Sequence, residues 1–115
     1  MTEFQALLLS VAIESPLAWL LVTLTGWPSR GAPHAALAAA IASAVTHPQL
    51  WAFVTWATPG WGWWPATLAG ETAVVAVEAA LIAWAIGLRP VHALMLSLVT
   101  NAASFAFGLL LLLAA

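Results

Sequence analysis

Four stretches of about 20 residues, the length a bilayer span requires, carry almost no charge, and this constrains the chain more than any other feature. They run at roughly Phe4 to Thr25, Ala32 to Trp56, Ala66 to Leu88 and Val91 to Ala114. Short segments rich in turn formers separate them: Trp27-Pro28-Ser29-Arg30-Gly31, the Trp-rich Thr58 to Pro65, and Arg89-Pro90. The only charged side chains are Glu3, Glu14, Arg30, Glu71, Glu78 and Arg89. Charged residues make up 5% of the chain, against about a quarter in a soluble domain, so no water-facing shell can be built. The expected fold is all-α: an integral membrane four-helix bundle forming a single transmembrane domain over residues 1–115.

Several function classes fall away on residue types alone. Without cysteine there can be no disulfide, thiolate metal site, iron–sulfur cluster or covalently attached c-type haem. A formal net charge of −2 with two arginines offers no phosphate-tracking surface, so no nucleic-acid partner is expected. The absence of lysine removes a retinal Schiff base. There is no H-E-x-x-H or G-x-S-x-G, and the chain is not expected to be an enzyme. Met1-Thr2-Glu3-Phe4 lacks the basic start of a secretory signal, so the first span is expected to be retained.

The chain also echoes itself. Ser43-Ala44-Val45-Thr46-His47 lines up with Ser97-Leu98-Val99-Thr100-Asn101, and Trp51-Ala52-Phe53 with Phe105-Ala106-Phe107. Earlier in each half, Val11-Ala12-Ile13-Glu14 lines up with Val75-Ala76-Val77-Glu78, and Arg30 to His34 resembles Arg89 to His92. This pattern predicts two parallel-repeat helical hairpins, residues 1–57 and 66–115, joined by the Trp-rich link 58–65. Glu14 should then face Glu78 across a pseudo-twofold axis, with His47 in the place that Asn101 takes in the second half. Arg30 and Arg89 fall in the first and third links, which the positive-inside tendency puts in the cytoplasm, with both termini outside. Trp51, Trp56, Trp61, Trp63 and Trp64 should crowd the outer interface and Trp27 and Trp84 the inner one, leaving Trp19 packed or facing lipid.

Helical spacing collects the polar side chains into one stripe per helix: Ser10 with Glu14; Ser43 with Thr46 and His47; Glu71 with Glu78; Ser97 with Asn101, Ser104 and Gly108. An ionisable group at the bilayer centre costs about 3 kcal/mol on insertion scales, so these stripes should face a shared interior. Glu14, Glu78, His47, Asn101 and Glu71 are the candidate ion or proton site. Ser43, Thr46, Ser97, Thr100 and Ser104 are its secondary polar lining, with interhelical hydrogen bonding as their ordinary role. Two carboxylates cannot both stay ionised on one histidine, so they are protonated or share a bound cation. Pro16 and Pro48 should free the carbonyls of Ala12 and Ala44 as further ligands. No resident cofactor is expected; a bound cation is compatible with the donor set and the metal is left open. Bis-histidine haem at His34 and His92 is geometrically conceivable but not expected.

In size and in its early Glu14 the chain resembles small multidrug resistance transporters, from which its Glu-bearing third helix departs. The pattern Glu14-x-Pro16, Thr46-His47-Pro48, Glu71 to Glu78 and Ser97 to Asn101 looks more like small uncharacterised four-helix bacterial inner-membrane proteins, a resemblance that implies that membrane and carries no activity across. Proton or cation translocation is the expected function, with an accessory or assembly subunit of a larger membrane complex as the alternative. The expected partners are the lipid bilayer and either further copies of the chain or a larger membrane complex.

Overall fold

The computed structural model describes residues 1–114. Four helices follow one another: α1 (Glu3–Thr25), α2 (Ala32–Trp61), α3 (Trp63–Ile86) and α4 (Pro90–Ala114). All four are long and apolar enough to cross a membrane. The 43 Å long dimension matches a bilayer with its headgroup layers, about 40 to 45 Å. Consecutive helices pack on each other and α4 closes back on α1, leaving α1 opposite α3 and α2 opposite α4. This is an up-down-up-down arrangement with short connections.

Local chemistry sets the ends. Thr2 caps α1, its hydroxyl accepting from the Gln5 amide at 3.1 Å while the Gln5 side chain accepts from the Thr2 amide at 3.0 Å. Gly26 (φ 64°) and Gly87 (φ 68°) end α1 and α3 in the left-handed conformation that glycine adopts without steric cost. The first link is then tied down: the Arg30 amide donates to the Ile86 carbonyl at 2.8 Å, one of the acceptors an α-helix leaves open at its C-terminus. His92 lies flat on Trp27, ring centroids 4.5 Å apart and planes 6° from parallel. Arg30 and Arg89 therefore share one end of the molecule.

The segment from Thr58 to Pro65 departs from the expected link. Helix α2 runs to Trp61 and α3 starts at Trp63, so the chain reverses at Gly62 (φ 87°). Pro65 sits in the first turn of α3, where its missing N–H has no helical partner to lose, and Pro59 falls in the last turn of α2. Trp56, Trp61, Trp63 and Trp64 are exposed around this turn, as are Trp84 and Trp19 elsewhere. Trp51 instead turns partly inward.

Two kinds of packing divide the bundle along its length. In the half nearer Arg30 and Arg89, Ala18, Val22, Ala35, Ala39, Ala79, Ile82, Ile86, Leu88, Ala93 and Leu96 form one buried apolar cluster. Lipid is as apolar as these side chains, so the gain here is van der Waals contact, and the alanines let the backbones approach closely. Toward the termini the helices enclose a cavity instead. There the α2–α3 contact depends on Gly70, where a Cβ would stand 2.6 Å from Leu50 Cδ1 and 3.2 Å from Phe53 Cδ1.

Candidate functional site

The cavity, about 650 Å³, draws on all four helices: Ser10 and Glu14 of α1, Ser43, Thr46 and His47 of α2, Thr67, Glu71 and Glu78 of α3, and Asn101 and Ser104 of α4. Its upper walls are Leu9, Leu50, Val54, Leu109 and Leu112, with Trp51, Trp63 and Phe105. Met1, Pro59 and Leu112 reach its rim, so it lies on the side of the termini and its floor rests on the apolar cluster.

At that floor the two mid-helix carboxyl groups are both only 2% exposed, yet they are held in different ways. Glu78 has both oxygens engaged: Asn101 Nδ2 donates to Oε2 at 2.9 Å, and Thr46 Oγ1 lies 2.8 Å from Oε1. Asn101 also donates to the Ser97 carbonyl at 2.9 Å and approaches Ser97 Oγ at 3.3 Å, which ties its amide into α4. One carboxyl group thus joins α2, α3 and α4. Glu14 has one partner, the Ser43 hydroxyl, donating to Oε2 at 3.2 Å. Its Oε1 is buried with no partner. Ser104 stands beside it, but the Ser104 hydroxyl donates to the Asn101 carbonyl at 3.1 Å.

The threonine contact bears on where protons sit. Thr46 Oγ1 is 2.9 Å from the Ala42 carbonyl as well as 2.8 Å from Glu78 Oε1, and a hydroxyl has only one hydrogen to donate. Both contacts are fully served only if Thr46 donates to Ala42 and accepts from Glu78, which then stands as the neutral acid. With Asn101 supplying the other bond, that arrangement leaves no hydrogen-bonding atom of Glu78 idle.

Of the ten residues singled out in the sequence, eight line this one cavity: Glu14, Ser43, Thr46, His47, Glu71, Glu78, Asn101 and Ser104. Ser97 and Thr100 are buried outside it, bonding the Val75 and Ser97 carbonyls at 2.8 and 3.2 Å. His47 sits one turn above Ser43, its ring 6.2 Å from that of Trp51, and its buried Nε2 has no partner. It therefore does not repeat the bond Asn101 makes to a glutamate. Ala12 and Ala44 lie on the exposed face and do not line the cavity, so the carbonyls freed by Pro16 and Pro48 add nothing to it. At the other end of the bundle, His34 is exposed and His92 is stacked on Trp27.

Thr67 is the residue that sequence reasoning missed. It is 5% exposed, lines the cavity, and its Oγ1 is buried without a partner. The available signal was its position one turn before Glu71, on the same face of α3. Among the described residues no three His, Asp or Glu side chains come together as a metal-ligand group. Comparison of the chain with protein families, curated proteins and solved structures yields no match.

Proposed function

We propose that this chain binds a proton or other cation in the cavity and carries it across the membrane, with Glu14 as the exchanging carboxyl group and Glu78 as its anchored counterpart. One observation carries the reading: a carboxyl oxygen, Glu14 Oε1, buried at mid-bundle without a partner on a cavity wall. An intramembrane carboxyl group is too costly to retain for packing alone, and a free acceptor at that depth is the usual mark of an ion or proton pathway. The diagonal placement of α1 and α3 supports descent of the two hairpins from one duplicated unit. Arg30 and Arg89 at one end support an orientation in a bacterial inner membrane with the termini, and hence the cavity mouth, outside. Transport would require the apolar floor to part, and further copies of the chain would supply the remaining wall of a conducting unit.

Proteoliposomes loaded with a pH-sensitive dye test this. The wild-type protein should dissipate an imposed pH gradient, and Glu14→Gln should slow that flux by at least about tenfold, equivalent to losing about 1.4 kcal/mol of interaction. Equal flux from that variant would end the reading. The close-packed floor favours one other reading, an accessory subunit whose cavity never opens inward. Native mass spectrometry of gently extracted protein separates the two: a fixed complex with other subunits supports the accessory reading, and a homo-oligomer the carrier.

A further inference from the structure

Glu71 is the outermost titratable side chain on the cavity wall. Helix α2 serves as a ruler: Ser43 meets Glu14 and Thr46 meets Glu78, whereas Leu50 and Phe53 lie against Gly70, the residue before Glu71. Glu71 and Glu78 are seven residues apart on α3, which puts Glu71 about 10 Å along the axis above the floor. His47, the remaining titratable side chain on the wall, adjoins Thr46 and so stands near the level of Glu78, while α4 contributes none. Unlike the other two cavity glutamates, half-buried Glu71 has no hydrogen-bond partner among the described residues.

Thr67, one turn nearer the mouth on the same face of α3, is unengaged too. It is 5% exposed and its Oγ1 has no partner. Thr23, Thr25, Thr46, Thr58 and Thr72 all turn their hydroxyls to the carbonyl four residues back, a bond that a helix offers its threonines. Thr67 has the Trp63 carbonyl in that place and does not take it. Eleven residues, about 16 Å along α3, separate it from Glu78, so it acts at the mouth and not at the floor.

We propose that Glu71 is the outer proton relay of the cavity, taking protons from water at the mouth and passing them down to Glu14, with the Thr67 hydroxyl holding the water that joins Glu71 to the mouth. This rests on the carrier reading, with the proton as the ion carried. A hydronium ion at the mouth gives one proton to the Glu71 carboxylate and is left as water. The resulting acid releases that proton along waters to Glu14 Oε1, and Glu71 returns to the carboxylate. Ser10, one turn toward the mouth from Glu14, and His47, with Nε2 unpartnered, border the space these waters fill. At about 650 Å³ the cavity has room for them, since one water takes about 30 Å³. Carboxyl and imidazole groups strung along a water-filled interior are how membrane proteins build proton paths. A dehydrated metal ion is served worse, because it needs about six oxygens and Glu71 with Thr67 supplies three.

The test uses the full-length protein in proteoliposomes, with proton flux driven by a potassium diffusion potential and read by internal pyranine, corrected for buffering. At alkaline pH hydronium is too scarce to supply Glu14 quickly without a relay. Glu71→Gln should therefore slow flux at least about tenfold there, and by less than about twofold at mildly acid pH. Concentrated glycylglycine on both faces, at constant ionic strength, should restore most of the alkaline flux, because this small impermeant buffer can enter the cavity and deliver protons in place of Glu71. Glu71→Asp, which keeps a carboxyl group, should stay within about threefold of wild type. Thr67→Val, which keeps the shape and removes the hydroxyl, should cost about threefold at alkaline pH, and unaltered flux would overturn the threonine's part. Glu14→Gln should be slow at every pH, with or without the buffer. Unchanged alkaline flux in Glu71→Gln overturns the relay, as does a loss equal at both pH values or one the buffer does not relieve, which is how a merely structural role would behave. In each of these cases a slow Glu14→Gln variant leaves the carrier reading standing. Wild-type vesicles without flux, or full flux from Glu14→Gln, overturn the carrier reading and the relay with it.

Discussion

Replacing Glu78 by glutamine separates two descriptions of the centre of the bundle. If Glu78 is a neutral acid, donating to Thr46 Oγ1 and accepting from Asn101 Nδ2, then glutamine reproduces both bonds, its Nε2 toward Thr46 and its Oε1 toward Asn101. The bonds concerned measure 2.8 and 2.9 Å. Interhelical hydrogen bonds in membranes average about 0.6 kcal/mol and reach about 1.7, and here none is lost, so the unfolding free energy should move by less than about 0.5 kcal/mol. If Glu78 is an ionised acceptor, glutamine replaces two charge-assisted hydrogen bonds by neutral ones, although the Thr46 hydroxyl can turn to the Ala42 carbonyl and accept from the new Nε2. Hydrogen bonds to charged groups are stronger by about 1 kcal/mol each, so the loss would then be about 1 to 3 kcal/mol. Reversible unfolding by SDS in mixed micelles, followed by tryptophan fluorescence, measures the difference. Asn101→Leu serves as calibration, since it strands Glu78 Oε2 and should cost about 1 to 3 kcal/mol under either description. A Glu78→Gln variant as unstable as Asn101→Leu would refute the neutral-acid assignment.

Three further outcomes follow from the same geometry. Gly70→Leu should destabilise by about 1 to 3 kcal/mol or more in the same unfolding assay, because even a Cβ there stands 2.6 Å from Leu50 Cδ1; unchanged stability would mean that α2 and α3 are not in this contact. Since the chain has no cysteine, single cysteines report access cleanly: Ser10→Cys and Ser104→Cys should react with a membrane-impermeant thiol reagent added on the side of the termini, while Ala39→Cys and Ala93→Cys should not. His47→Asn should raise stability by about 0.6 kcal/mol and reduce proton flux, by giving α2 an amide able to reach Glu14 Oε1; a variant that is neither more stable nor slower would show that the two sites cannot be interchanged this way.

What the sequence made legible is what depends on short-range chemistry. Helix number follows from four apolar runs. The inner boundaries follow from Pro28 with Arg30 and from Arg89 with Pro90, and the helices end just before them in left-handed caps at Gly26 and Gly87, so that α3 stops two residues short of the expected Leu88. The outer boundary was not legible, because Pro59, Gly60, Gly62 and Pro65 in eight residues read as an extended loop. A proline's effect depends on whether it stands in the first turn, the last turn or the middle of a helix, and composition does not give that position. Eight of ten candidate residues share the cavity because helical periodicity fixes which side chains lie on one face. Ser97 and Thr100 lie on the right helix but a fraction of a turn away, and their hydroxyls reach carbonyls instead. No sequence pattern shows the long-range split into a packed half and a hollow half, since it depends on which small residues of one helix meet which of another.

That split gives the unequal glutamates their meaning. In the repeat expected from the sequence Glu14 and Glu78 would occupy matching positions, and a symmetric pair would share one fate: both satisfied and inert, or both open. The difference arises in the partners. The amide of Asn101 carries two hydrogens on one nitrogen, enough to bond the Ser97 carbonyl within its own helix and Glu78 across the interface. An imidazole has at most one hydrogen on each nitrogen, and His47 faces Trp51. With a histidine rather than an amide one turn beyond Ser43, one Glu14 oxygen is left without a partner while both oxygens of Glu78 are held. A carrier needs both conditions, one group free to exchange and a second that keeps three helices in register while the first is empty. An assembly of four purely structural helices needs only the second, and Glu14 Oε1 would then be a standing cost with no return.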